Sequence, residues 1–460
     1  MSEETNLQEN QNKEAMDSVD HAWLRMEGPH NLMMIGVVLI FEDRLDLDRF
    51  YDILQTRLID RFERFSQRVV HENGHDYWQE DPYFSLDNHV IATAFPHTGS
   101  KEQLQTLASE IVSQPLENDK PLWSIHVIGH YQQGSALVIR IHHCIADGMS
   151  LVKLIMSLTD PSADPQSKQL CMEKPTEGAG SHHHESLRDL MAHPSHLIES
   201  MSHGLSGAEE LAAITLRAGD PKTSLKGELS GKKTAAWADP FPLPAVKKLG
   251  KQLNATVNDV LMTVATGVLK NLLEQKSEDT DGKTLHAAVP FNLRPIDEPI
   301  DKLGNQFGLV LVPLPVGIED PTDRLKAVSE GMQKLKNSYQ AHVFFFLLQV
   351  LGKGPSFLEQ TALDVLSKKA SVVMTNVPGP KVPLYLAGAK LAQPLAWVPQ
   401  SGDIGIGLSI LSYNDQVQFG FIADRNLIED ASNICQLFLD EFKLLEAAVN
   451  NNLQTDSEVN

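Results

Sequence analysis

Cysteine is scarce in this chain. Cys144, Cys171 and Cys435 are the whole complement, and their spacing forms no pairing motif. A disulfide scaffold is thereby excluded, and a reducing cytosol is the fitting compartment. Positive charge is also short: 39 lysines and arginines stand against 60 aspartates and glutamates, a formal net charge of −21. Such a field repels nucleic acid and anionic lipid, which argues against nucleic-acid binding as the function. Long apolar runs are missing too. The richest, 32–41 and 343–348, are too short to span a bilayer, so membrane contact is expected only at a surface. Residues 1–15 lack the basic start and apolar stretch of a signal peptide, and a cytoplasmic location is expected.

What is present describes two ordinary globular cores. The 460 residues are 42% hydrophobic and 22% charged, enough for two large domains. One stretch organises them, Ile141-His142-His143-Cys144-Ile145-Ala146-Asp147-Gly148-Met149. Upstream, residues 136–141 are aliphatic and β-branched around a single arginine, as in a buried strand. Downstream, Met149, Leu151, Val152, Leu154, Ile155, Met156 and Leu158 recur at helical spacing. Two imidazoles, a carboxylate and a glycine therefore occupy a strand-to-helix corner, where a rigid scaffold presents side chains at its edge.

Adjacent residues at a strand end face opposite ways, so His142 and His143 have separate tasks. A neutral imidazole is the usual base for a hydroxyl or thiol. Asp147 either braces the corner through an arginine or orients that base, and Gly148 permits a backbone angle that other residues resist. Three further readings compete: a metal site, which lacks a completing set of ligands; Cys144 as a nucleophile with His143 as its base; and two satisfied histidines at a turn.

The heptapeptide His142-His143-x-x-x-Asp147-Gly148 resembles the HHxxxDG signature of CoA-dependent acyltransferases with the chloramphenicol-acetyltransferase-like fold. Pro121-Leu122-Trp123, Thr256-Val257-Asn258-Asp259-Val260, Val289-Pro290-Phe291-Asn292-Leu293-Arg294 and Thr375-Asn376-Val377-Pro378-Gly379-Pro380 narrow the likeness to the wax ester synthase/acyl-CoA:diacylglycerol acyltransferase family. The matches run in order from about Asp17 to the last helix. Gly388-Ala389-Lys390-Leu391 and the stretch from Leu411 to Gly420 fit the same pattern.

The resemblance implies an α/β protein of two chloramphenicol-acetyltransferase-like mixed-sheet sandwich lobes with an interdomain tunnel. It implies acyl transfer from a fatty acyl-CoA to a long-chain alcohol or to diacylglycerol, with His143 as general base near the middle of the tunnel. His142, Asp147 and Gly148 become structural support. Asn258, Asp259, Asn292, Thr375 and Asn376 are candidates for substrate binding or for the oxyanion, Asn258 first among them. No cofactor and no metal are implied, acyl-CoA being a substrate. A related acyltransferase using another small alcohol or amine, or a carrier-bound acyl group, is the alternative within the fold. A non-catalytic lipid-binding member is the alternative outside enzymology.

The expected organisation is a disordered tail over 1–15, a first lobe over 16–160, a helical linker over 161–235, a second lobe over 236–450 and a tail over 451–460. Within the linker, His182, His183, His184, His193, His196 and His203 fit a solvated segment better than a metal site, since no cysteine or carboxylate framework accompanies them. Trp123 is expected as a core aromatic. Asn258 and Asp259 are expected to cap the helix that follows them. The apolar run around Phe344, Phe345 and Phe346 is either core or a patch that meets lipid.

Overall fold

Alternating runs of β-branched and aliphatic residues form two mixed sheets, and the site lies where they meet. A computed structural model describes residues 13–164, 217–293, 303–336, 338, 340–354, 365 and 367–458. In the first half, β1 (Lys13–Ala15), β3 (Gln67–Glu72) and β4 (His75–Glu80) make a small sheet ordered β1-β4-β3. Helix α1 (Ser18–Arg25) precedes β2 (Met34–Phe41), and α2 (Leu47–Ile53) follows it. Then come β5 (Val90–Thr93), α3 (Lys101–Val112), β6 (Trp123–Tyr131), β7 (Gly134–His142) and α4 (Gly148–Leu158).

The second half contributes β8 (Lys233–Trp237), β9 (Phe241–Pro242), α5 (Leu243–Gln252), α6 (Val257–Gln275), β10 (Leu285–Asn292) and β11 (Phe307–Leu314). Helices α7 (Pro321–Lys336) and α8 (Gln340–Lys353) lead to β12 (Val372–Pro378), β13 (Tyr385–Leu386) and β14 (Ala389–Trp397). The hairpin β15 (Ile406–Tyr413) and β16 (Gln416–Asp424) precedes the closing helix α9 (Ser432–Glu458).

The second sheet runs β11-β10-β12-β15-β16-β8, and the first runs β13-β14-β2-β7-β6-β5. The first sheet is therefore not built from the first half alone. Strand β14 of the second half pairs antiparallel with β2, Trp397 opposite Gly36. The boundary expected at 160 divides the sequence there but not the sheet. Every residue of β2 and β7 is buried, because helix α3 and the second lobe cover what would otherwise be exposed faces. Trp237 and Trp397, with Val38 and Ile422, close one core shared by both halves.

Two expected tails are partly structured. Lys13–Ala15 pairs with Tyr77–Gln79, and α9 continues to Glu458, through most of 451–460. The linker expected over 161–235 ends in strand β8, and its histidine cluster lies outside the described residues. Trp123 is buried, stacked on His89 at 4.4 Å, with its indole donating to the Phe65 carbonyl at 2.8 Å. It packs, as expected of a core aromatic. In α8, Phe344 and Phe345 pack against the first-lobe core, while Phe345 and Phe346 line a cavity beside α1. All three are half-buried, neither sealed in the core nor fully exposed to solvent.

Candidate active site

Strand β7 delivers the two histidines to opposite surroundings. The His142 amide donates to the Leu122 carbonyl at 2.9 Å, and the His143 amide donates to the Met33 carbonyl at 2.7 Å. The His142 ring is buried, and its Nδ1 accepts the Cys144 amide at 3.2 Å. Burial, followed by the neighbouring His143, lowers its pKa to about 3, so it stays neutral. Cys144 is fully buried and desolvation raises its thiol pKa, which removes the thiolate that the nucleophile reading required.

His143 faces the lobe junction. Trp23 of α1 stacks on its ring at 4.2 Å, and Phe307 of β11 lies tilted at 5.3 Å. Its Nδ1 meets Asn305 Oδ1 at 2.9 Å. The Asn305 Nδ2 donates to the His143 carbonyl at 2.8 Å and to Asp20 Oδ1 at 2.9 Å, so Oδ1 is left as the acceptor. The proton is thereby assigned to Nδ1, and Nε2 holds a lone pair with no hydrogen-bond partner among the described residues. Desolvation, opposed by Asp147, lowers the ring pKa to about 4, and the imidazole is neutral at physiological pH.

Asp147 does not pair with an arginine among the described residues. It is the N-cap of α4: Oδ1 accepts the Ser150 amide at 2.7 Å, and Oδ2 accepts the Gln306 amide at 2.9 Å. A short strand-to-helix corner leaves amides that need acceptors, and one carboxylate serves an amide from each lobe. The buried carboxylate that does take arginines is Asp160, 2.9 Å from both Arg49 and Arg57. Gly148 has no unusual backbone angle. A Cβ there would meet nothing within 4 Å, and the glycine borders an apolar cavity of about 60 Å³ between the two sheets, shared with Leu151, Val152, Ile155 and Thr375.

Of the remaining candidates, Asn258 and Asn376 are brought together: Asn376 Nδ2 donates to Asn258 Oδ1 at 2.6 Å. Thr375, one residue before, faces the apolar cavity. Thr256, rather than Asn258 or Asp259, caps α6, and Asp259 completes a capping box by accepting the Thr256 amide at 2.8 Å. A carboxylate committed to Thr256 and to the Ser329 hydroxyl is an acceptor, so Asp259 is no oxyanion donor. Asn292 ends β10 opposite Phe307, one neighbour away from the His143 ring.

Sequence reasoning missed Asp20, Trp23 and Asn305. The one available signal was Gly304-Asn305-Gln306-Phe307-Gly308, a polar pair held between glycines at a strand start. A larger cavity, about 940 Å³, lies beyond this cluster, and Arg25, Gln306, His342, Phe345, Phe346 and Lys353 are among its lining. One wall is the N-terminal helix and the opposite wall belongs to the second half. The site thus has a roomy cavity of mixed polar and apolar lining on one side and a small apolar slot on the other.

Fold and site together define a two-lobed protein of the chloramphenicol-acetyltransferase-like architecture with its HHxxxDG corner at the lobe junction. A solved wax ester synthase/diacylglycerol acyltransferase from Marinobacter aquaeolei has the same fold, with a TM-score of 0.70 at 22% identity over 95% of this chain and 99% of that one. The first condensation domain of the calcium-dependent antibiotic synthetase follows at a TM-score of 0.61 and 14% identity, covering 95% and 97%.

Residues 16–261 match the wax ester synthase/diacylglycerol acyltransferase catalytic domain, and residues 303–446 match the WS/DGAT C-terminal domain. The chain belongs to the wax ester synthase/diacylglycerol acyltransferase family, and it is an acyltransferase enzyme. It is 27% identical over 436 residues to a probable diacylglycerol O-acyltransferase of Mycobacterium tuberculosis, covering 92% of this chain and 93% of the relative. To the O-acyltransferase WSD of Acinetobacter baylyi it is 26% identical over 455 residues, covering 94% and 96%.

Proposed function

We propose that the enzyme transfers a fatty acyl group from acyl-CoA to a long-chain alcohol or to diacylglycerol, with His143 as the general base. The observation that carries this reading is the free Nε2 of a buried, neutral imidazole whose Nδ1 proton is fixed by Asn305. Nε2 removes the hydroxyl proton as the oxygen attacks the thioester carbonyl, then returns that proton to the departing CoA thiolate. The tetrahedral oxyanion needs a donor. Asn258, whose Oδ1 is occupied by Asn376, keeps its own amide protons for that task. The cavity of about 940 Å³, with Arg25 and Lys353 among its lining, is roomy enough for part of the donor.

Long-chain alcohols and diacylglycerol partition into membranes. Among the described residues no helix is long and apolar enough to cross one. Peripheral contact with the cytoplasmic membrane face or with lipid droplets therefore belongs to this reading, and liposome flotation tests it. The decisive assay offers palmitoyl-CoA with hexadecanol, with diacylglycerol and with short alcohols to the purified protein. Wax ester or triacylglycerol is the expected product, with His143→Ala folded and at least ~100-fold slower. A folded His143→Ala enzyme with near-normal turnover would defeat the assignment of the base.

A further inference from the structure

We propose that Asp20 is the charged end of a relay, Asp20–Asn305–His143, that positions the catalytic imidazole and tunes its proton affinity during turnover. The inference rests on the reading of His143 as the base and extends it to a carboxylate on another element. Three buried side chains lie in line. Asp20 Oδ1 accepts from Asn305 Nδ2 at 2.9 Å, and Asn305 Oδ1 accepts from His143 Nδ1 at 2.9 Å. Asp20 is 4% exposed, and its helix also supplies Trp23, which stacks on the same imidazole.

A buried carboxylate is costly to maintain unless it serves a purpose, and an amide bond away from a catalytic base is a place where it can. Asn305 makes contact between the two through a neutral group, so Asp20 is a positioning residue and never receives the proton itself. When Nε2 takes the hydroxyl proton, the ring becomes an imidazolium. The Asp20 charge, conducted through the polarised Asn305 amide, stabilises that cation, and the proton then leaves again from Nε2 to the thiolate.

The charge of Asp20 itself varies in the working pH range. Desolvation, opposed chiefly by the Asn305 hydrogen bond, raises its pKa to about 7. The groups around it are Asp17 on its own helix, Arg64 from the turn at 63–65, and His143 and Cys144 of the corner. Farther off, His342 and Lys353 of α8 line the cavity that α1 borders. Of these, Asp17 pushes Asp20 toward protonation and Arg64 against it. His143 is neutral throughout this range, so the ionisation near 7 belongs to Asp20 and not to the base. Turnover is accordingly expected to rise with pH through about 7 as Asp20 becomes an anion.

The test uses the full-length enzyme and Asp20→Asn, which keeps an oxygen to accept from Asn305 and deletes only the charge. The rising limb of kcat near pH 7 is expected to disappear. Above it, kcat is expected to fall about 10-fold, the effect of one pKa unit on imidazolium stability, while KM for acyl-CoA changes little. A merely structural Asp20 would leave the limb in place, and a limb near 7 that survives in Asp20→Asn overturns the proposal.

Nitrogen-15 spectra of the histidines provide a readout that needs neither turnover nor a variant. In the wild-type enzyme the His143 signal is expected to remain that of a neutral ring protonated at Nδ1, yet to shift with pH around 7. A His143 signal without an inflection between pH 5.5 and 8.5 overturns the relay. Normal turnover in His143→Ala would instead defeat the assignment of the base.

Discussion

At the scale of single residues, the site joins groups whose environments pull in different directions. Burial makes His143 a neutral ring with its pKa lowered to about 4, and makes Asp20 an acid with its pKa raised to about 7. The second effect has a consequence for stability. Because the folded-state pKa of Asp20 lies well above the ordinary carboxylate range, the folded chain holds this proton more tightly than the unfolded one. The stability it contributes is full below about pH 4 and is lost as pH rises through 7. Asp20→Asn should therefore melt at a higher temperature than wild type at pH 8, and the gain should shrink to nothing near pH 4. A Tm difference independent of pH would show that Asp20 does not titrate where its burial places it. A variant that is more stable and less active is the usual sign of a functional residue kept at a structural cost.

At the scale of elements, the strand–corner–helix unit β7-α4 was legible in the sequence because each part obeys a local rule. An aliphatic run gives the strand and an apolar recurrence at helical spacing gives the helix, whereas the N-cap role of Asp147 stands in place of the arginine brace or base-orienting role expected of it. What Asp147 touches was not legible, since its second acceptor bond reaches Gln306, 159 residues away. Asp147→Ala removes a cap, worth ~1 kcal/mol, and strands the Gln306 amide, worth a further ~1–3 kcal/mol. A loss of about 2–4 kcal/mol should appear as a lower denaturation midpoint. Activity should fall with it, because Gln306 follows Asn305. The long-range partners Asp20 and Asn305 escaped detection for the same reason: neither stands in a periodic pattern, and 285 residues separate them. The reading of the corner as a turn of two satisfied histidines fits neither ring: each has its Nδ1 engaged, and the buried His142 Nε2, like the His143 Nε2, has no hydrogen-bond partner among the described residues. Of the two residues expected to cap α6, Asp259 takes part in a box with Thr256, and Asn258 does not.

At the scale of the whole molecule, β14 and the contact of α1 with α8 are among the places where the two halves are locked together. Strand β14, from the second half, completes the first sheet. The contact of α1 with α8 is the nearer of the two to the chemistry. His21 Nδ1 bonds the Gly352 carbonyl at 2.9 Å, and Arg25 Nη1 donates to the Gly354 carbonyl at 3.0 Å. Donors at the C-terminal end of a helix satisfy carbonyls that the helix leaves open. The helices come this close because residue 352 has no side chain: a Cβ there would overlap the Ser18 carbonyl. The obstacle is backbone, so the overlap cannot be relieved by a rotamer change. Gly352→Ala should therefore force α1 away from α8, an overpacking cost of ~1–3 kcal/mol. Since α1 carries both Trp23 and Asp20, the displacement should reach the His143 ring. A Tm lowered together with kcat, and a near-ultraviolet circular dichroism band altered at Trp23, are the expected results. If Gly352→Ala lowers Tm while kcat and the Trp23 signal stay at wild-type levels, α1 is not held in its working position by this contact.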